Sequence, residues 1–407
     1  MNIMYSFSLA TLKRVGSNPL VQLLSVLGII SVGYPWIPLE GARFFLTISL
    51  ILRELLVFVL PFLLFSFIAV ALSAIPKESM LFVLGLMATV FLSNFLSIII
   101  SGCVGFSVLS GVEAQELPVS TVSVAPLFTC TLPQIAGTVS ALLAGVAVGF
   151  WLAFFPSKFL SSGIHFLHHL VMMFMKRFFV PLLPLFVGGF LLRLFLEGRM
   201  TGFVEHNTRT CLLTCSFLWS YLALWLFIAA SFRFSRAVQI FKTTFPAIVT
   251  AFSTMSSAAA LPFSLEAARK NTQDKALSDA VMPLTLNFHM VGDTILVPIM
   301  ALLVLQAFHR PLPGIADFLL FGFFFILNKF AGGGVPSGTI MVTVPVLEKY
   351  LGFDETMTAF IIAFYGVVDP IATSGNVTAN NFFVIIFQKI RDALRKQGTS
   401  LPHDAKS

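Results

Sequence analysis

Charge is the first shortage. Asp, Glu, Lys and Arg make up 11% of the 407 residues, against roughly 25% in soluble domains, and the deficit excludes an ordinary water-soluble fold. The net charge of +7 is therefore no sign of a nucleic-acid partner; in a chain this apolar, Lys and Arg in short loops report orientation. Cysteine is also scarce. Cys103, Cys130, Cys211 and Cys215 lie in or beside apolar segments, and the Cys211/Cys215 pair shares a helix face with no further thiol nearby, so all four read as inert. No hydroxyl or thiol nucleophile is visibly paired with a base, which excludes an enzyme and leaves no cofactor to expect. Lys13 and Arg14 precede the first apolar run, but no small-residue cleavage site follows a short apolar core, so the first span is expected to stay uncleaved, with the N-terminus cytoplasmic.

What is abundant is apolar surface: 57% hydrophobic residues, 46 of them phenylalanine, and a mean hydropathy of +0.94. A bilayer span needs about 20 apolar residues. Spans are expected at residues 17–37, 44–75, 79–111, 122–155, 164–196 and 208–231. Lys77 follows the second, Glu113 and Glu116 the third, Lys158 the fourth, and Arg233, Arg236 and Lys242 the sixth. The basic loops thus share the cytoplasmic side with the N-terminus, as does the basic tail. The linker at 266–279, with Arg269, Lys270 and Lys275, joins that side only if residues 240–265 enter the membrane and return. His165, His168 and His169 precede a long apolar run and read as interfacial.

The C-terminal half changes pattern. Residues 240–265, 280–308, 315–347 and 356–388 are apolar but interrupted at their centres by Ser, Gly, Pro and Asn. Irregular backbone survives at membrane depth only where protein or a water-filled cavity satisfies it, so the breaks point to a binding site. "AFSTMSSAAALP", Ala251 to Pro262, is either a turn whose backbone N–H groups suit an anion or a small-residue packing surface. "NKFAGGGVPSGTIM", Asn328 to Met341, is either a mobile hairpin tip or an external loop. In "DPIATSGNVTANN", Asp369, Thr373, Asn376 and Asn380 fall at i, i+4, i+7 and i+11, giving one helix face a carboxylate, a hydroxyl and two amides. "LNFHMVGDTILVPIM" places His289 and Asp293 at i, i+4, expected on one helix face, in a stretch otherwise fit for a membrane interior. An acidic residue at that depth costs roughly 2.5 to 3.5 kcal/mol on insertion scales, so it marks a substrate or ion path.

The order of these parts resembles the dicarboxylate/amino acid:cation symporter family, which includes the glutamate and archaeal aspartate transporters. "AFSTMSSAAALP" is similar to the family's AFSTSSSAATLP, "GGGVPSG" to its AGVPG-type hairpin and "SGNVTAN" to its NVTGD signature, and "HMVGD" stands where NMDGT is expected. The resemblance implies an all-α polytopic membrane protein with eight transmembrane helices, two re-entrant helical hairpins and inverted repeats, working as an elevator-type transporter. It implies a homotrimer in the cell membrane, a bacterial inner membrane being expected. The scaffold spans would lie in residues 1–75 and 112–200, and span 3 of the transport domain in 76–111. The rest of that domain would fill 201–388: span 6, hairpin 1 at about 240–265, span 7 at about 280–308, hairpin 2 at about 315–347 and span 8 at about 356–388. A cytoplasmic tail would occupy 389–407.

Carried over position by position, the resemblance gives Asp369 the substrate ammonium and Asn376 the α-carboxylate, helped by backbone groups of Ser256, Ser257 and the second hairpin around Val335. Thr373 lies on the same face. Where acidic-substrate relatives place an arginine, this chain has Ala372, and at the alternative arginine position in the first hairpin it has Met255. An aspartate or glutamate side chain would enter without a partner; the expected substrate is a neutral amino acid. Two sodium-binding carboxylates of the family are replaced by Val291 and Asn380. Ser93, Asn94, Asn287, His289, Asp293, Asn376 and Asn380 are the candidates for coupling, to a proton carried by Asp293 and tuned by His289, or to sodium held by hairpin carbonyls. The competing readings are recognition of a cationic side chain by Asp293, transport of an acidic amino acid or dicarboxylate, and a degenerate homologue that conducts ions or does not transport.

Overall fold

The computed structural model describes residues 19–73, 80–109, 123–133, 135–286, 288–332 and 338–398. Asn287 and Val335 fall outside these residues, as do Lys77, Glu113, Glu116 and the N- and C-terminal ends. Every regular element among the described residues is helical. The helices are α1 (Pro19–Gly33), α2 (Leu39–Ser73), α3 (Met80–Leu109), α4 (Thr138–Phe154), α5 (Lys158–Phe174), α6 (Val180–Leu196), α7 (Arg199–Ala229), α8 (Phe234–Thr254), α9 (Ser257–Thr272), α10 (Lys275–Thr285), α11 (Val291–Ala307), α12 (Ile315–Gly332), α13 (Gly338–Leu351) and α14 (Glu355–Gly398).

Among the described residues four stretches are long and apolar enough to cross a bilayer: Leu39–Val70, Phe82–Leu109, Asn207–Ala229 and Glu355–Ala393. The pair Lys158–Phe179 and Pro184–Leu196, bent by 54°, makes a fifth when its two helices are taken as one span. The bend follows a π-helical stretch, Met175–Phe179, and Pro184 inside α6, both ordinary causes of a kink.

The expected span at 122–155 is corrected. Residues 123–133 are irregular, and helix begins only at Thr138. The segment contains Pro126 and Pro133, and its backbone is held from α2 instead: Leu127 N–H donates to Thr47 Oγ1 at 2.9 Å, and Arg43 Nε donates to the Ala125 carbonyl at 3.2 Å. Beyond it, α4 packs tightly along α2. A Cβ on Gly145 would stand 2.8 Å from the Phe65 carbonyl oxygen, so the small residue sets that approach.

α2 also packs on α5 and α6, and α1 packs on α6. A second group assembles around α14, which touches α7, α8, α9 and α11, while α11 packs on α3. Within this group α8 and α9 pack on each other across a break at Met255 and Ser256, and α12 packs on α13. Met255 ends α8 in the left-handed region (φ 50°), and Ser256 caps α9 by accepting from Ala259 N–H at 3.3 Å, a common way to satisfy an orphan donor. The final helix was expected to be broken and is not. Its Ser, Thr and Asn side chains bond back to the helix's own carbonyls, Ser374 to Ile371, Thr378 to Ser374 and Asn381 to Val377, so polar composition is absorbed without interrupting it.

Candidate functional site

The chain breaks between α10 and α11, and α11 restarts against the middle of α14. That approach is set by Gly292: a Cβ there would lie 2.1 Å from the Ala372 carbonyl oxygen and 3.0 Å from Asn376 N, and Gly375 faces the Gly292 Cα. The crossing seats Asp293 beside Asn376. The two bond reciprocally, with Asp293 N–H donating to Asn376 Oδ1 at 3.2 Å and Asn376 Nδ2 donating to Asp293 Oδ2 at 2.8 Å.

Asp293, 1% exposed, collects further donors. Tyr365 Oη donates to its Oδ1 at 2.6 Å, Thr339 Oγ1 to its Oδ2 at 3.3 Å, and Lys329 Nζ pairs with Oδ2 at 2.5 Å. Tyr365 also lies within 3.3 Å of Asp369 Oδ1, which accepts from Thr373 Oγ1 at 2.8 Å. Asp369, Thr373 and Asn376 are all buried. The structure thus brings together four of the residues expected from sequence, Asp293, Asp369, Thr373 and Asn376, and adds Lys329, Thr339 and Tyr365. Lys329 had a visible signal, a lone cation near the end of the apolar stretch "FLLFGFFFILNKF". Tyr365 had none beyond its place one turn before Asp369.

His289 and Asp293 do not share a helix face, contrary to the expectation from their spacing. α10 ends at Thr285 and α11 begins at Val291, so His289 lies in the break and its ring turns to other partners. Nε2 is 2.8 Å from Ser93 Oγ, and the ring packs at a tilt against Phe383 and Trp225, with centroids 4.5 and 5.5 Å away. Asn94 stitches the break to α3, donating to the Phe288 carbonyl at 2.7 Å and accepting from Met290 N–H at 3.1 Å. Asn380 donates to the carbonyls of His289 and Asn376, at 3.0 and 3.1 Å. Ser93, Asn94, His289 and Asn380 therefore form a second cluster, joined to the first through the Asn376 carbonyl. Asn380 Oδ1 and His289 Nδ1 are both buried and make no hydrogen bond of ordinary geometry among the described residues, the Asn380 side chain lying against the His289 ring.

Ser256 and Ser257 sit at the break between α8 and α9, half-buried. The arms of this hairpin pack on α14 through a cluster of Ala247, Ala251, Ala260 and Val377, one residue from Asn376. Ala372 is fully buried with its carbonyl against Gly292. His165 is exposed and His168 packs edge-on against Phe67.

The profile of the sodium:dicarboxylate symporter family matches residues 20–390. A 157-residue segment is also 24% identical to the putative sodium-dependent excitatory amino acid transporter glt-4 of Caenorhabditis elegans, covering 38% of this chain and 31% of that protein's length. With the family profile spanning both buried clusters and every described helix up to the last turns of α14, the chain belongs to the sodium:dicarboxylate symporter family, a family of membrane transporters and not of enzymes.

Proposed function

We propose that this protein is a secondary active symporter that imports a neutral amino acid together with a monovalent cation, sodium or a proton. The observation that carries the substrate class is the Asp293–Lys329 pair. Both side chains are 1% exposed and 2.5 Å apart, so the ammonium nearest the substrate-binding face of α14 is committed to a carboxylate of the protein. Freeing it for a substrate's side-chain carboxylate would leave Asp293 buried without its counter-charge, a loss of several kcal/mol, roughly 3 to 5 for a broken buried pair. Asp369 then takes the substrate ammonium, and Asn376 with the backbone of the Ser256 hairpin takes the α-carboxylate.

The same charges bear on coupling. Asp293, Asp369 and Lys329 bring two formal negative charges and one positive, a balance that a zwitterionic substrate does not change. One travelling cation makes the loaded site neutral, which lowers the cost of moving it through a bilayer. Sodium is favoured by membership of the sodium:dicarboxylate symporter family. Asp293 is already engaged by the Lys329 ammonium, and His289 faces Ser93 rather than Asp293.

In this reading α1, α2 and α4–α6 form a scaffold, and α3 with α7–α14 form a body that carries the site across in an elevator motion. The packing of α2 with α4, α5 and α6, and of α14 with α7, α8, α9 and α11, supports that division. Assembly as a homotrimer and residence in a cell membrane with both ends cytoplasmic complete the proposal. Counterflow of labelled amino acids in proteoliposomes tests it: neutral amino acids exchange and aspartate, lysine and succinate do not compete. A substrate-independent ion current without exchange identifies a conductor instead, and competition by aspartate or lysine moves the substrate class.

A further inference from the structure

Lys329 has surroundings that suit an alkylammonium better than an exchangeable ion. Its Nζ pairs with Asp293 Oδ2 at 2.5 Å and donates to Thr339 Oγ1 at 3.1 Å and to Met290 Sδ at 3.5 Å, and it lies 5.1 Å from the centre of the Phe325 ring. Only two of these four neighbours are oxygens. A hard alkali cation asks for several oxygen ligands, whereas a thioether and an aromatic face are soft partners that an ammonium on a hydrocarbon stem accepts well. The partners also come from separate elements: Asp293 from α11, Thr339 from α13, Met290 from the break before α11, and Lys329 with Phe325 from α12. The charge is built into the fold where those elements meet.

We propose that Lys329 is a tethered counter-ion: it neutralises Asp293 at every stage of the cycle and so reduces by one the number of cations that must accompany each substrate. This rests on the symport reading for its consequence in transport, but the tether itself is testable without transport. Removing the ammonium leaves a buried carboxylate that recruits a mobile cation in its place. Removing both charges leaves nothing to recruit one.

The experiment follows thermal unfolding of the purified full-length protein in detergent, in sodium chloride against choline chloride at constant ionic strength, for the wild type, Lys329→Met and Lys329→Met/Asp293→Asn. The single variant unfolds several degrees lower in choline and recovers part of that loss as sodium is raised, by more than the wild type gains; the double variant returns to the wild-type sodium response. If Lys329→Met does not fold at all, a folded double variant with the wild-type response supports the same conclusion, and failure of both variants overturns it, because the lysine then serves packing rather than charge. A single variant with the wild-type sodium response also overturns it. In proteoliposomes the charge moved per substrate, read from the voltage at which net uptake reverses, rises by one in Lys329→Met. A wild type that exchanges no amino acid refutes the symport reading while the unfolding comparison still decides the tether.

Discussion

Gly292→Ala isolates the contact on which the site's geometry depends. A methyl group at this position would stand 2.1 Å from the Ala372 carbonyl oxygen, where ordinary contact begins near 3.4 Å, and 3.0 Å from both the Ala372 carbonyl carbon and Asn376 N. The obstructing atoms are backbone in the buried middle of α14, so no rotamer change relieves the overlap and the two helices must separate by about 1 Å. Overpacking of a tight interior typically costs about 1 to 3 kcal/mol, and obstruction by backbone on both sides puts this case at the upper end, near 3 kcal/mol. The separation stretches the reciprocal bonds between Asp293 and Asn376, now 3.2 and 2.8 Å. If that whole cost falls on the binding-competent arrangement, affinity drops on the order of 100-fold, at about 1.4 kcal/mol per tenfold. Thermal unfolding and substrate-induced thermal shift of the purified protein measure both effects. Gly85→Ala is the control, since a Cβ on that α3 residue meets nothing within 4 Å, and helix propensity predicts unchanged or slightly increased stability. A Gly292→Ala protein with wild-type stability and affinity would refute the helix-crossing account.

How far the site was readable follows from which interactions are local. The polar face of the last helix was legible because a helix repeats its directions, and Asp369, Thr373, Asn376 and Asn380 do fall together, with Thr373 bonded to Asp369 and Asn380 to the Asn376 carbonyl. The break at Met255 and Ser256 was legible from its run of small hydroxyl residues. The continuity of α14 was not, because a Ser or Asn that bonds its own preceding turn has the same composition as one that interrupts a helix. His289 and Asp293 were misjudged for the opposite reason: an i, i+4 spacing implies a shared face only while the helix persists, and it ends between them. Lys329 was missed because its partner is 36 residues away on another element. A lone buried charge announces that a partner exists, but only tertiary structure says which.

Asp369→Asn should abolish amino-acid binding, since it removes the carboxylate assigned to the substrate ammonium while keeping the side-chain shape; an unchanged substrate-induced thermal shift would remove that assignment. Tyr365→Phe takes away a hydroxyl that donates to Asp293 at 2.6 Å and lies 3.3 Å from Asp369. Hydrogen bonds to charged groups are worth about 1.5 to 3 kcal/mol, so unfolding should move down by several degrees, and a variant as stable as the wild type would show that the hydroxyl is not structural. Asp274 caps α10 by accepting from Leu277 N–H at 2.9 Å and pairs with Arg391 of α14 at 2.9 Å. Asp274→Ala should cost about 1 kcal/mol, mostly from the cap, read as a lower unfolding temperature with substrate affinity unchanged; lost affinity would mean that this end of α14 also shapes the site.

In the proposed cycle the buried cluster around α14 moves a neutral amino acid against its gradient by spending a cation gradient. Uptake of labelled neutral amino acids into sealed proteoliposomes, with a sodium gradient, a pH gradient or neither imposed across the bilayer, tests this most directly. Symport gives transient accumulation above the external concentration under the sodium or the pH gradient, equilibration without either, and no accumulation in Asp369→Asn vesicles. Equilibration at the same level under every condition, or accumulation that Asp369→Asn leaves intact, would contradict it.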